Sequence, residues 1–145
     1  MPLSDPIRPV RRLMWSLGLC LVLGACAATP GIAPLAGSEW RLSHLDGQAV
    51  LAHPPATLLL GTDGRLSGHG ACNRFTGSYQ LQGDRLRVGP VAATRIGCPG
   101  PVGQQENRYL QALQGARQVQ LQQDGALLIR GASGEPVLRF LPASP

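Results

Sequence analysis

The chain reads as a mainly β (α+β) protein, a small antiparallel β-barrel or strongly curved sheet of about eight strands with one α-helix. Three observations predict this. Apolar residues recur at every second position through most of residues 40–140, turns bearing Asp or Gly interrupt that alternation at short intervals, and a single stretch switches to helical spacing.

The first strand is expected at Trp40 to Leu45. Three hairpins follow: Thr57 to Leu60 with Arg65 to Ser67 across Thr62, Asp63 and Gly64; Ser78 to Leu81 with Arg85 to Val88 across Gln82, Gly83 and Asp84; and Gln118 to Gln122 with Ala126 to Arg130 across Asp124 and Gly125. A last strand is expected at Val137 to Phe140. In the second hairpin Tyr79, Leu81, Leu86 and Val88 share one parity, while Gln80, Gln82, Arg85 and Arg87 share the other. Such alternation marks a sheet with one face in a core and one in water. Between the second and third hairpins, Gln104 to Gln114 places Glu106, Tyr109, Leu110 and Leu113 at helical spacing, with Gly115 just beyond as a C-cap. The apolar stripe of that helix needs a surface to cover, so the helix is expected to close one side or end of the sheet. Trp40, Phe75 and Phe140 are expected as core anchors.

The N-terminus has a different character. Arg8, Arg11 and Arg12 precede the apolar run Leu13 to Leu23, the pattern of a signal peptide, and the run is shorter than the roughly 20 residues of a membrane-spanning helix. The leucine-rich run and the residues flanking Arg11 and Arg12 fit general secretion better than a twin-arginine signal. The string Leu23, Gly24, Ala25, Cys26 resembles the bacterial lipobox, which implies acylation and cleavage at Cys26; soluble secretion after cleavage near the same point is the alternative. Ala27, in place of an aspartate, then directs the expectation to the outer membrane, facing the periplasm, against a soluble periplasmic alternative. The expected organisation is a signal peptide at 1–25, a lipidated N-terminus and tether at 26–37, a domain at 38–141 and a tail at 142–145. The leader holds Arg8, Arg11, Arg12 and Asp5, so its removal lowers the formal charge from +5 to +3. That balance and the export signal argue against a nucleic-acid partner.

The densest cluster is GHGACNRFTGSY, residues 68–79, where the small residues around Cys72 predict a tight turn or bulge with close approach of neighbouring segments. Downstream stand Thr94, Arg95, Ile96, Gly97 and Cys98. The CNRF element, Tyr79 shortly after it, the later T-R-x-x-C element, and the opening Trp40 and Leu42 with a turn at Gly47 resemble the META domain (heat-shock HslJ-like) family over about residues 38–141. The resemblance implies a β-rich domain with one helix, often carried by envelope lipoproteins and associated with stress tolerance. It carries over no catalytic residue. Its recurrent positions fall on Cys72, Asn73, Arg74, Phe75, Gly77, Tyr79, Thr94 and Cys98, all first of all structural candidates.

Cys72 and Cys98 are read as a disulfide, since export places both thiols where oxidation is normal. The alternatives are a nucleophilic Cys72 aided by His69, or a metal held by His69 with both cysteines, although no zinc-type spacing is present and His44 and His53 lie in or beside other turns. Asn73, Arg74 and Arg95 are the candidate binding residues, for a phosphate or carboxylate at a Gly-rich turn. The plainer reading has Arg74 paired with a nearby carboxylate and Asn73 hydrogen-bonded to its own turn. Arg85, Arg87 and Arg95 are candidates for a positive surface facing anionic lipid headgroups, the plainer reading being a solvated basic face. At 4% aromatic content there is no stacking stripe for carbohydrate or nucleic acid. GxSxG, phosphate-loop and HExxH motifs are absent. The reading is therefore a monomeric, non-enzymatic envelope lipoprotein without cofactor or metal, attached to the membrane through Cys26 and binding an envelope protein or anionic ligand. A lysozyme-inhibitor-like protein and an enzyme using Cys72 or His69 are the alternatives.

Overall fold

Alternating apolar residues build ten strands in the computed structural model, which describes residues 35–143. The leader at 1–25, Cys26 and the 27–34 part of the tether lie outside the described residues. Strands β1 (Glu39–Leu45), β2 (Gln48–Ala49), β3 (Ala56–Leu60), β4 (Arg65–Gly70), β5 (Arg74–Gln82), β6 (Arg85–Val88) and β7 (Ala92–Ala93) precede helix α1 (Pro101–Gln114). β8 (Gln118–Leu121), β9 (Leu127–Arg130) and β10 (Pro136–Pro142) follow it. The pairing order β1, β3, β4, β5, β6, β8, β9, β10 is antiparallel throughout and returns from β10 to β1, closing an eight-strand barrel. Closure removes the exposed edges that an open sheet would present. β2 folds back on β1, and β7 adds to β5.

All three expected hairpins form, as β3–β4, β5–β6 and β8–β9, and the first and last strands meet to close the barrel. Gly64, Gly83 and Gly125 take the positive φ values that their turns require. Several boundaries differ from the sequence expectation, β4 running on to Gly70 and β10 to Pro142 among them. β5 begins at Arg74 rather than Ser78, because the segment after Cys72 pairs with β4 as soon as the turn ends. The helix begins three residues earlier than Gln104: Pro101 occupies its first turn, where the missing N–H costs nothing. It ends at Gly115 as expected, but with φ −79, so the cap is right-handed and the Gly115 N–H donates back to the Gln111 carbonyl.

Inward-facing leucines from β1, β3, β4, β6, β9 and β10 fill the barrel together with Trp40, Phe75, Tyr79, Val119, Ile129 and Phe140. The helix lays Tyr109 and Leu113 on this core, both with no exposed surface. The Tyr109 ring meets Phe75 and Phe140 edge-on, with centroids 5.7 and 6.1 Å apart, and its hydroxyl donates to the Thr57 carbonyl at 3.1 Å. Full burial pushes the Tyr109 hydroxyl pKa well above that of an ordinary tyrosine. The helix therefore serves as a stopper whose polar tip has a partner. Among the described residues no helix is long and apolar enough to cross a membrane.

Candidate functional site

The turn joining β4 to β5 and the segment leading into α1 come together around one buried carboxylate. Glu106 lies on the core-facing side of the helix, and its oxygens accept three hydrogen bonds. The Asn73 N–H reaches Oε2 at 2.6 Å, the Cys72 N–H reaches the same oxygen at 3.1 Å, and Asn73 Nδ2 reaches Oε1 at 2.6 Å. Each partner donates, so the carboxylate acts as an acceptor only, and the charge-assisted bonds offset part of the cost of burying it. Ala71, with φ 86 and buried, bends the turn so that two successive N–H groups converge on Glu106. Gly70 is glycine because a β-carbon there would overlap the Glu106 carboxylate.

The Asn73 side chain is fully engaged. Its Oδ1 accepts from the Ile96 N–H at 2.7 Å and from the Thr94 hydroxyl at 2.9 Å, while Nδ2 also donates to the Ile96 carbonyl at 3.2 Å. Thr94 Oγ1 in turn accepts from the Arg74 N–H. The Cys72–Cys98 disulfide, with Cα atoms 6.3 Å apart, ties the same turn to the residues just before the helix. Gly103 lets that connection pass against the first helical turn, since a β-carbon there would strike the Cys98 carbonyl. Phe75 enters the core, Gly77 allows the 90–91 segment to lie against β5, and Tyr79 donates its hydroxyl to the Gly61 carbonyl at 2.7 Å.

Of the expected binding residues, Asn73 is thus enclosed and saturated, whereas Arg74 and Arg95 are exposed. Neither guanidinium has a carboxylate partner among the described residues. Among the described residues the ion pair expected of Arg74 does not form, because the adjacent carboxylate, Glu106, lies beneath the turn and is committed to Asn73 and Cys72. Asn73 does bond within its own turn, Nδ2 donating to Cys72 Sγ at 3.4 Å, and its amide also bridges the helix and the 94–96 segment. The described ion pairs lie elsewhere, Arg108–Asp46 at 2.8 Å and Arg139–Asp124 at 2.7 Å. Among the described residues no group of three His, Cys, Asp or Glu side chains is placed to share a metal ion. Sequence reasoning did not assign Glu106 a role, although the signal was present: an acid in line with Tyr109 and Leu113 on the apolar face of a helix needs a buried donor.

A second polar region lies on the outer wall. Residues Gln82, Arg85, Gln118 and Arg130 are successive cross-strand partners on β5, β6, β8 and β9, and Gln80 pairs with Arg87 in the neighbouring row. A cleft of about 240 Å³ is lined by Gln80, Gln82, Arg85 and Arg87. A second, of about 420 Å³, runs from Arg85 and Arg87 over Arg117 and Gln118 to the 131–134 turn.

A closed eight-strand antiparallel barrel stoppered by one helix, with a Cys-Asn turn clamped to the helix entry, defines a small all-purpose scaffold class. The META domain model matches residues 33–144, most of the chain, and the chain belongs to that family. Its fold is similar to that of a protein from Burkholderia xenovorans solved by NMR, with 33% identity and a TM-score of 0.61 over 77% of this chain and 85% of that one. A second NMR structure is 25% identical, with a TM-score of 0.59 over 74% and 90%. A DUF4847 family protein from Bacteroides vulgatus, at 14% identity and a TM-score of 0.56 over 74% and 94%, shares the fold alone. A search of curated proteins matches nothing.

Proposed function

We propose that this META domain protein is a lipid-anchored, non-enzymatic binding module of the cell envelope, held through Cys26 at the outer membrane and engaging another envelope component during stress. The observation that carries the binding role is the inward use of the family motif. Cys72 is bonded to Cys98, and every polar atom of the Asn73 side chain has a partner within the protein, so these residues stabilise a scaffold and leave contact with a partner to its outer surface. The LGAC string after an apolar run supports the anchor. Two or three acyl chains hold a protein stably where one is marginal. From Cys26 to Leu35, the buried residue that opens the domain, the chain spans at most roughly 30 Å, which keeps the barrel close to the membrane surface.

Metabolic labelling with a radioactive fatty acid tests the anchor: the wild-type chain takes up label and Cys26→Ser does not, while equal labelling removes the anchor from the account. Affinity capture from envelope extract tests the module. The oxidised, folded protein retains a component that the reduced and unfolded protein releases, and equal recovery by both contradicts a binding role for the fold.

A further inference from the structure

We infer that the outer wall formed by β5, β6, β8 and β9 is a binding surface for an anionic glycan, a hydroxyl-rich chain bearing phosphate or carboxylate groups. This deepens the reading of the domain as a binding module and rests on it. The alternation Gln82, Arg85, Gln118, Arg130 runs across four adjacent strands, where neighbouring side chains stand about 5 Å apart. Arg85 and Arg87 line both clefts on this wall and have no hydrogen-bond or ion-pair partner among the described residues, and neither cleft has an acidic side chain in its lining. Arg130 is held in place through the Gly134 carbonyl and the Gln120 amide oxygen, and Arg117 through the Ala116 carbonyl, each with donors to spare.

The chemistry of the wall selects the partner. All 13 cationic side chains of the chain are arginine, whose planar fork grips the paired oxygens of phosphate and carboxylate. The glutamine amides interleaved with them offer both donors and acceptors, which suits hydroxyl groups. Two clefts that share Arg85 and Arg87 fit an extended ligand with repeated anions better than a single small ion. The exposed large apolar residues, Leu51, Leu59 and Ile96, all lie off this wall. Its two clefts therefore lack the apolar anchor of a protein hot spot or of an inserting membrane surface, Leu128 on the outer face of β9 lying outside both linings, and they have no aromatic ring on which bases could stack. Its larger cleft is walled by the 131–134 turn and admits a protruding chain rather than a plane of headgroups.

The test is direct titration of the full-length chain with dextran phosphate, with neutral dextran of the same length and phosphatidylglycerol vesicles in parallel. Dextran phosphate binds and neutral dextran does not, and binding weakens as salt is raised. Joint replacement Arg85→Gln and Arg87→Gln weakens it at least tenfold. Arg41→Gln, on the opposite side of the barrel circuit, leaves it unchanged, and matching circular dichroism melts show that all three proteins are folded. Equal binding by the double variant, or equal binding of neutral dextran, overturns the inference. So does a wild-type chain that binds the vesicles and ignores dextran phosphate, which assigns the wall to lipid headgroups. Capture of an envelope component by folded protein that ignores dextran phosphate rejects this ligand class alone, whereas loss of both rejects the binding module itself.

Discussion

The turn at Cys72 and Asn73 and the wall at Arg85 and Arg87 are both polar regions of one small barrel, yet they use polarity in opposite ways. At the turn, Asn73 and Glu106 are each 6% exposed, and their polar atoms face one another. On the wall, the guanidiniums of Arg85 and Arg87 face water with no partner among the described residues. A residue type in a Gly-rich loop is thus no guide to binding until its hydrogen bonds are counted. The buried amide and carboxylate of the loop that looks like an anion site support the fold, while the plain alternating strands carry exposed guanidiniums, as Arg74 and Arg95 do beside the loop.

If this contrast is correct, substitutions at the turn act on stability and those on the wall do not. The largest effect is expected from Cys98→Ser. Opening a loop of 26 residues' separation costs about 3 to 4 kcal/mol in the chain-entropy model, a large share of a small domain's stability. Urea unfolding of oxidised wild type against the variant measures it. Glu106→Ala is expected to cost about 3 kcal/mol, because it strands two backbone N–H groups and the Asn73 amide in a buried site. The same unfolding curve shows the loss as a lower midpoint at unchanged slope.

Tyr109→Phe removes only the bond to Thr57 and costs about 1 kcal/mol at neutral pH. It also alters the alkaline limb. Burial raises the folded-state pKa of Tyr109 above its unfolded value of about 10, so that contribution is full below pH 10 and is lost as pH rises beyond it. The variant therefore loses less stability between pH 10 and 12 than wild type does. Some alkaline sensitivity remains, since burial and then the Asp63 charge also raise Tyr79. The smallest effect belongs to the paired Arg85→Gln and Arg87→Gln substitution, which is expected to move the unfolding free energy by less than about 0.5 kcal/mol.

The parts of the fold that depend on near neighbours were legible in the sequence. Each hairpin announces itself through period-two alternation and a glycine with positive φ, and the helix through the spacing of Tyr109, Leu110 and Leu113. Contacts between distant segments were not. The joining of β1 to β10, across almost the whole domain, leaves no local trace. The two-residue strands β2 and β7 are too short to show a period, and Gly103 hides the first helical turn because glycine weakens the helical pattern that surrounds it. In the site, the Cys72–Cys98 pairing was readable from the expected export and the motif. The Glu106–Asn73 bond was not, because its partners stand 33 residues apart and Glu106 resembles any acid on a helix. The wall was half legible: the outward parity of Gln80, Gln82, Arg85 and Arg87 was plain, but the alignment of Gln118 and Arg130 beside them needs the β6–β8 register.

The contrast between turn and wall is tested most directly by mapping backbone amide chemical shifts of ¹⁵N-labelled protein during titration with dextran phosphate. The account predicts progressive shifts at Gln80, Gln82, Arg85, Arg87, Arg117 and Gln118, with Asn73, Arg74 and Arg95 unmoved. Shifts centred on Arg74 and Arg95, with the β6–β8 wall silent, would contradict it.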